Sequence, residues 1–205
     1  MDIEGLIETV NREIKSGFVP PRALTSRLPF VTRYLRRRSF FDDHKHFPAF
    51  YYLGRALQPQ SVLSMPLGWG LSTSCFLFGC KPEYVGVFYH QSGNNSTIRM
   101  AIHNVRRAYR KKLAFYDGRL NTKGVDSLLC SSKWDAVLID EDMSYDDYLA
   151  YIRITWPHIS DNGVLIINYV NYDNAAGRAY EDFCKTNHKP QLYVKSKFGL
   201  GLVFK

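Results

Sequence analysis

Three groups of residues have the types and spacing to do chemistry. Gly68-Trp69-Gly70 stands between the apolar runs 61–65 and 71–80. Glycines there permit a tight turn and let backbone N–H groups approach a ligand with no Cβ in the way. Asp140-Glu141-Asp142 closes the apolar stretch 135–139. Such carboxylates could accept a proton, hold a cation, or simply enter a helix whose first turn favours acids. His44 and His46, two apart, could bind a metal or take a proton, or could be exposed polar residues. A basic set also recurs at helical spacing: Arg99, His103, Arg106 and Arg110, broadened by Arg107, Lys111 and Lys112. It could neutralise phosphates or form a solvated face. Cys75, Cys80, Cys130 and Cys184 form no CxxC pair and match no zinc spacing, so reduced thiols in the cytoplasm are expected.

The rest of the chain must position these groups. It has 205 residues, 45% apolar and 22% charged, which excludes a disordered chain, a coiled coil and a fibre. Its net charge of +8 favours anionic partners. The longest charge-free run, between Arg55 and Lys81, is broken by Pro59, Pro66 and glycines, so no membrane span is expected. An N-terminal helical extension is read over residues 1–46. Ile3, Leu6, Ile7, Val10 and Ile14 form a helix ended by Pro20-Pro21, a second short helix is read near 31–35, and Arg36-Arg37-Arg38 follows. From residue 47 helices alternate with apolar strands at 61–65, 84–89, 113–116, 135–139 and 164–167. Asp161-Asn162-Gly163 is read as a turn, and two strands near 191–195 and 200–204 close the chain. That alternation predicts an α/β domain, 47–205, with a doubly wound, mostly parallel sheet and an antiparallel end.

Several stretches resemble class I S-adenosylmethionine (SAM)-dependent methyltransferases. Ser61-Val-Leu-Ser-Met-Pro-Leu-Gly-Trp-Gly-Leu-Ser-Thr73 resembles motif I of that family. Trp134-Asp-Ala-Val-Leu-Ile-Asp-Glu-Asp-Met-Ser-Tyr145 resembles a segment shared by small-molecule O-methyltransferases, and 161–168 and 198–204 fit the fifth and closing strands. The resemblance covers 47–205 and is nearest to macrocin-type and sugar O-methyltransferases. It implies a Rossmann-like methyltransferase fold with a seven-stranded sheet, SAM as cofactor, and transfer to oxygen of a small molecule, for which the net charge of +8 favours an anionic one. It implies cofactor contacts at Met65, Leu67, Gly68, Trp69, Gly70, Thr73, Phe88, Asp117 and Asp140. Around the acceptor it implies Asp140, Asp142 and Tyr145, and His44 or His46, read from their own chemistry, could supply the missing base. Metal-dependent relatives hold Mg²⁺ at the positions of Asp140, Asp142 and Asn168. Two carboxylates and an amide are a weaker set, so no metal is expected.

The chain departs from the family at four places. Pro66 replaces the first glycine, Phe88 the ribose-binding acid, Met143 the histidine base and Asn168 an acid. These departures leave a second reading open, a methyltransferase fold that binds a ligand or partner without catalysis. The basic helix face leaves a third, a nucleic-acid-binding or -modifying protein.

Overall fold

The computed structural model describes residues 2–17, 46–89, 95–117, 123–130, 133–171 and 174–205. Strands β1 (Ser61–Ser64), β2 (Tyr84–Tyr89), β3 (Lys112–Asp117), β4 (Trp134–Ile139), β5 (Ile159–Asn168), β6 (Leu192–Val194) and β7 (Leu200–Phe204) form one sheet. Its order is β3-β2-β1-β4-β5-β7-β6. β1 to β5 run parallel, β7 is antiparallel to β5, and β6 is antiparallel to β7. The doubly wound sheet with an antiparallel end is therefore as expected.

Strand alternation sends neighbouring residues to opposite faces. Val62, Val87, Leu138 and Ile166 pack with helices α1 (Ile3–Lys15), α2 (His46–Leu57), α3 (Leu71–Cys80) and α4 (Asn95–Ala108). Leu63, Phe88, Val137, Ile139 and Ile167 pack with α5 (Lys123–Cys130), α6 (Tyr145–Thr155) and α7 (Ala175–Thr186). The strands are apolar on both faces because both faces are covered. Val10 and Ile14 of α1 join the first layer, and the Lys195 N–H donates to Asn11 Oδ1 at 2.8 Å.

Three local expectations differ from the structure. Asp161-Asn162-Gly163 lies within a ten-residue β5, not in a turn before it. The register slips, with Trp134 opposite Ile159 but Ala136 opposite Val164, so the intervening residues bulge without leaving the strand. The elements read from the sequence do not include α5; among the described residues its buried side chains Val125, Leu128 and Leu129 fall at i, i+3 and i+4, a pattern one turn long. Helix α1 ends at Lys15 with Ser16 as its cap, ahead of a Gly17 with φ +91°, before the prolines are reached. The helix expected near 31–35 and Arg36 to Arg38 lie outside the described residues.

Caps set the helices that flank the functional edge of the sheet. Ser144 Oγ accepts from the Asp147 N–H and donates to Asp147 Oδ2 at 2.6 Å, capping α6 at three-residue spacing. Asn174 Oδ1 accepts from the Gly177 N–H at 2.9 Å, while its Nδ2 donates to the Tyr169 carbonyl at 3.0 Å. Asn174→Ala is expected to lower unfolding free energy by ~1 kcal/mol, measured by urea denaturation.

Candidate functional site

The strand order reverses between β1 and β4, where an open parallel sheet leaves a crevice at its carboxyl edge. The chain leaves β1 through a cis Met65-Pro66 peptide and turns into α3 with Gly68 at φ +54° and Gly70 at φ +70°. Both lie in the left-handed region that glycine enters without steric cost. Each glycine also has a neighbour pressed against it. A Cβ on Gly68 would overlap the Asp140 carbonyl oxygen, and one on Gly70 would lie 2.7 Å from the Ala101 carbonyl oxygen on α4. The glycine turn after β1 and the acid run after β4 are thus in direct contact.

Together they wall a hollow of about 280 Å³. Leu67, Gly68 and Trp69 form one side, and Asp140, Glu141 and Asp142 another. Tyr89 at the end of β2, Thr97, Ile98 and Ala101 on α4, and Tyr169 after β5 complete it. Trp69 is 60% exposed at the rim, and the buried Asn104 donates to its carbonyl at 3.4 Å. None of the described lining residues is Lys or Arg. Arg99, His103, Arg106 and Arg110 are instead exposed.

The structure separates the other sequence candidates. Met65, Thr73 and Phe88 are fully buried and do not line the hollow. Thr73 Oγ1 sits 2.8 Å from Ser64 Oγ, and Phe88 packs against the Tyr151 ring in the opposite layer. Alternation explains the last case. With Val87 and Phe88 sent to opposite faces, the chain reaches the hollow at Tyr89, a residue that counting on from Phe88 would have found. Thr97 and Ile98 carried no such signal, because nothing in the sequence says which turn of α4 meets the crevice. Asp117 ends β3 in register with Tyr89. Tyr145 is outside the hollow. Its hydroxyl donates to Asp182 Oδ2 at 2.6 Å, beside a groove between α6 and α7. His44 lies outside the described residues.

Asp140 is the electrostatic centre. It is 7% exposed, and burial raises its carboxyl to about 7, with Glu141 adding to the rise. Hydrogen bonds from Ser72 and Asn168 oppose it. The Tyr169 N–H donates to Asn168 Oδ1 at 2.8 Å, which orients the amide so that Nδ2 faces Asp140 Oδ1 at 2.5 Å and His46 Nε2 at 3.2 Å. His46 is buried, and Ser72 Oγ lies 3.3 Å from the same Nε2. Tyr169 holds φ +69°, uncommon for a bulky residue. The bonds from its own N–H to Asn168 and from Asn174 to its carbonyl fix it there. The Tyr148 hydroxyl donates to the Glu141 carbonyl at 2.5 Å and pins the acid loop.

This donor arrangement does not suit a cation shared by Asp140, Asp142 and Asn168. Asn168 turns its N–H₂ toward the carboxylate and spends its oxygen on a backbone N–H, whereas a hard cation needs that oxygen. Among the described residues no three His, Cys, Asp or Glu side chains cluster as a metal site.

No protein-family model matches the sequence, and no curated protein matches it. Solved structures do match. A methyltransferase of Podospora anserina, crystallised with S-adenosylhomocysteine (SAH), is 14% identical, with a TM-score of 0.65 over 100% of this chain and 97% of that one. The O-methyltransferase from Bacillus cereus in complex with SAH is 17% identical, with a TM-score of 0.62 over 97% of this chain and all of that one. TomG from Streptomyces achromogenes, an O-methyltransferase of tomaymycin synthesis in complex with SAM, is 14% identical, with a TM-score of 0.62 over 100% and 98%. At these identities the likeness is one of fold.

Proposed function

We propose that this chain is a SAM-dependent methyltransferase that methylates an oxygen of a small molecule. The observation that carries the reading is the contact between the Gly68 turn and the Asp140 loop, which makes one hollow at the strand-order reversal. The structural neighbours crystallised with SAH or SAM support the same cofactor.

The residues present fit such a group. The first N–H groups of α3 lack intrahelical partners and suit its carboxylate. Asp140, with Glu141 and Asp142 beside it, suits its ammonium and sulfonium charges. Tyr89 offers a phenol where the family's acid would meet the ribose, and Ile98 and Ala101 offer an apolar wall. When bound, SAM supplies an electrophilic methyl on sulfur, open to in-line attack by an oxygen. The protein's work is then to orient the groups and exclude water. In this reading Asp142, exposed and lining the hollow, takes the acceptor's proton. Met143 cannot do so.

Met143 and the burial of Phe88 favour a second reading, a fold that binds SAM without turnover. Exposed Arg99, Arg106 and Arg110 favour nucleic acid, which predicts RNA affinity falling steeply with salt. A thermal-shift screen over SAM, SAH, nucleotides and nucleotide sugars tests the proposal. SAM and SAH are expected to raise the melting temperature, and a rise with nucleotides alone would overturn it. All four cysteines are free, and among the described residues no helix is long and apolar enough to cross a membrane. Free thiols suit the cytoplasm, where we place the protein.

A further inference from the structure

His46 is the first residue of α2, and its ring is enclosed at the candidate site. Phe47, Phe50 and Phe198 meet it edge-on, with centroids 5.1–5.2 Å away, and Tyr169 lies 6.1 Å away. Its Nε2 is within hydrogen-bond distance of both groups that bond Asp140, Ser72 Oγ at 3.3 Å and Asn168 Nδ2 at 3.2 Å. The Asn168 orientation is already fixed by the Tyr169 N–H, so its Nδ2 donates in both directions. Nε2 must therefore accept, and the ring proton lies on Nδ1.

We propose that His46 is a positioning residue for Asp140, acting through Asn168, whose Nδ2 donates to both, to aim that hydrogen bond at the carboxylate and so set how tightly it holds its proton. The inference rests on the functional reading only for its use; the coupling itself belongs to the protein without cofactor. Removing Nε2 leaves a buried Asn168 N–H without its acceptor, and the amide, still held at Oδ1 by the Tyr169 N–H, tilts about that bond and weakens its donation to Asp140. The carboxylate is then held less strongly by a donor that stabilises its charge, and its titration moves up.

Other titratable groups around Asp140 are Glu141 and Asp142 on its own loop, Cys75 on α3, Tyr148 on α6 and Tyr169 after β5. Burial raises the Cys75 thiol and the Tyr169 phenol to about 12, and raises Tyr148 as well, so all three stay neutral while Asp140 titrates.

The test is a ¹³C-carboxyl NMR titration of aspartate-labelled protein without cofactor, with Asp140→Asn assigning the resonance. The wild-type midpoint is expected near 7. In His46→Phe, which keeps the ring packing, it is expected to rise by about one unit, a tenfold change in proton affinity. In His46→Gln, whose Oε1 can accept from Asn168, it is expected to return to within ~0.3 of wild type. An unmoved midpoint in His46→Phe, with only a lowered melting temperature, would mean that the ring merely packs and would overturn the proposal. If His46→Phe does not fold, ¹⁵N NMR of wild-type His46 decides. An unprotonated Nε2 through neutral pH supports the coupling, and a protonated one contradicts it. Neither readout involves SAM, so failure here is distinct from failure of the methyltransferase reading.

Discussion

Asp140→Asn is expected to make the protein more stable at pH 8 and to bind SAM more weakly. Burial raises this carboxyl from 3.8 to about 7. Between pH 4 and pH 7 the unfolded chain has released a proton that the folded chain still holds, so stability falls as pH rises and the full deficit is present above pH 7. Three units at ~1.4 kcal/mol each set an upper bound of ~4 kcal/mol, on the order of 10 °C in melting temperature for a chain of this size. An amide of the same shape carries no charge and escapes the deficit. Scanning calorimetry should therefore find the variant ahead of wild type at pH 8 and the two converging near pH 4. The cofactor arm has the opposite sign. A cationic ligand needs the ionised carboxylate, so wild-type affinity for SAM should rise from pH 5.5 to pH 7.5. The variant should lose ~10–100-fold at pH 7.5 and most of the pH dependence, as removal of one charge-assisted bond requires. Equal stability of the two proteins at pH 8 would show that Asp140 is not a strained buried acid.

Gly68→Val is expected to abolish cofactor binding, with at least a ~100-fold loss of SAM affinity and a stability cost of a few kcal/mol. Valine is poorly tolerated at φ +54°, and its Cβ would strike the Asp140 carbonyl, driving the acid loop away from the turn. Gly68→Ala meets the same carbonyl with less bulk and should show the same direction with smaller size. Equilibrium dialysis with labelled SAM at 15 °C keeps both variants folded for the comparison. Retained affinity in a folded Gly68→Val protein would separate the turn from the cofactor.

How much of this was legible in the sequence follows from what a sequence encodes. Val62, Leu63, Val137 and Leu138 lie in runs apolar on both sides, so the parallel strands could be read directly, and the resemblance pointed to the Gly68 turn and the Asp140 loop, which the structure brings into contact. What could not be read was depth. Thr73 and Met65 sit in the glycine motif beside Gly68 and Trp69, yet helix and strand geometry turns them into the core. Tyr145 follows the acid run closely, but the first turn of α6 carries it to Asp182. His46 was visible as one of a histidine pair. Its link to Asn168, 122 residues away, depends on how α2 docks over β5, which no local pattern records.

The most direct test of the account is a calorimetric titration of the wild-type protein with SAM at pH 7.5, run beside Gly68→Val. One site with a dissociation constant below ~100 µM in the wild type, and no measurable heat in the variant, is the predicted result. No heat in the wild type at ~1 mM SAM, or equal affinity in the two proteins, would contradict it.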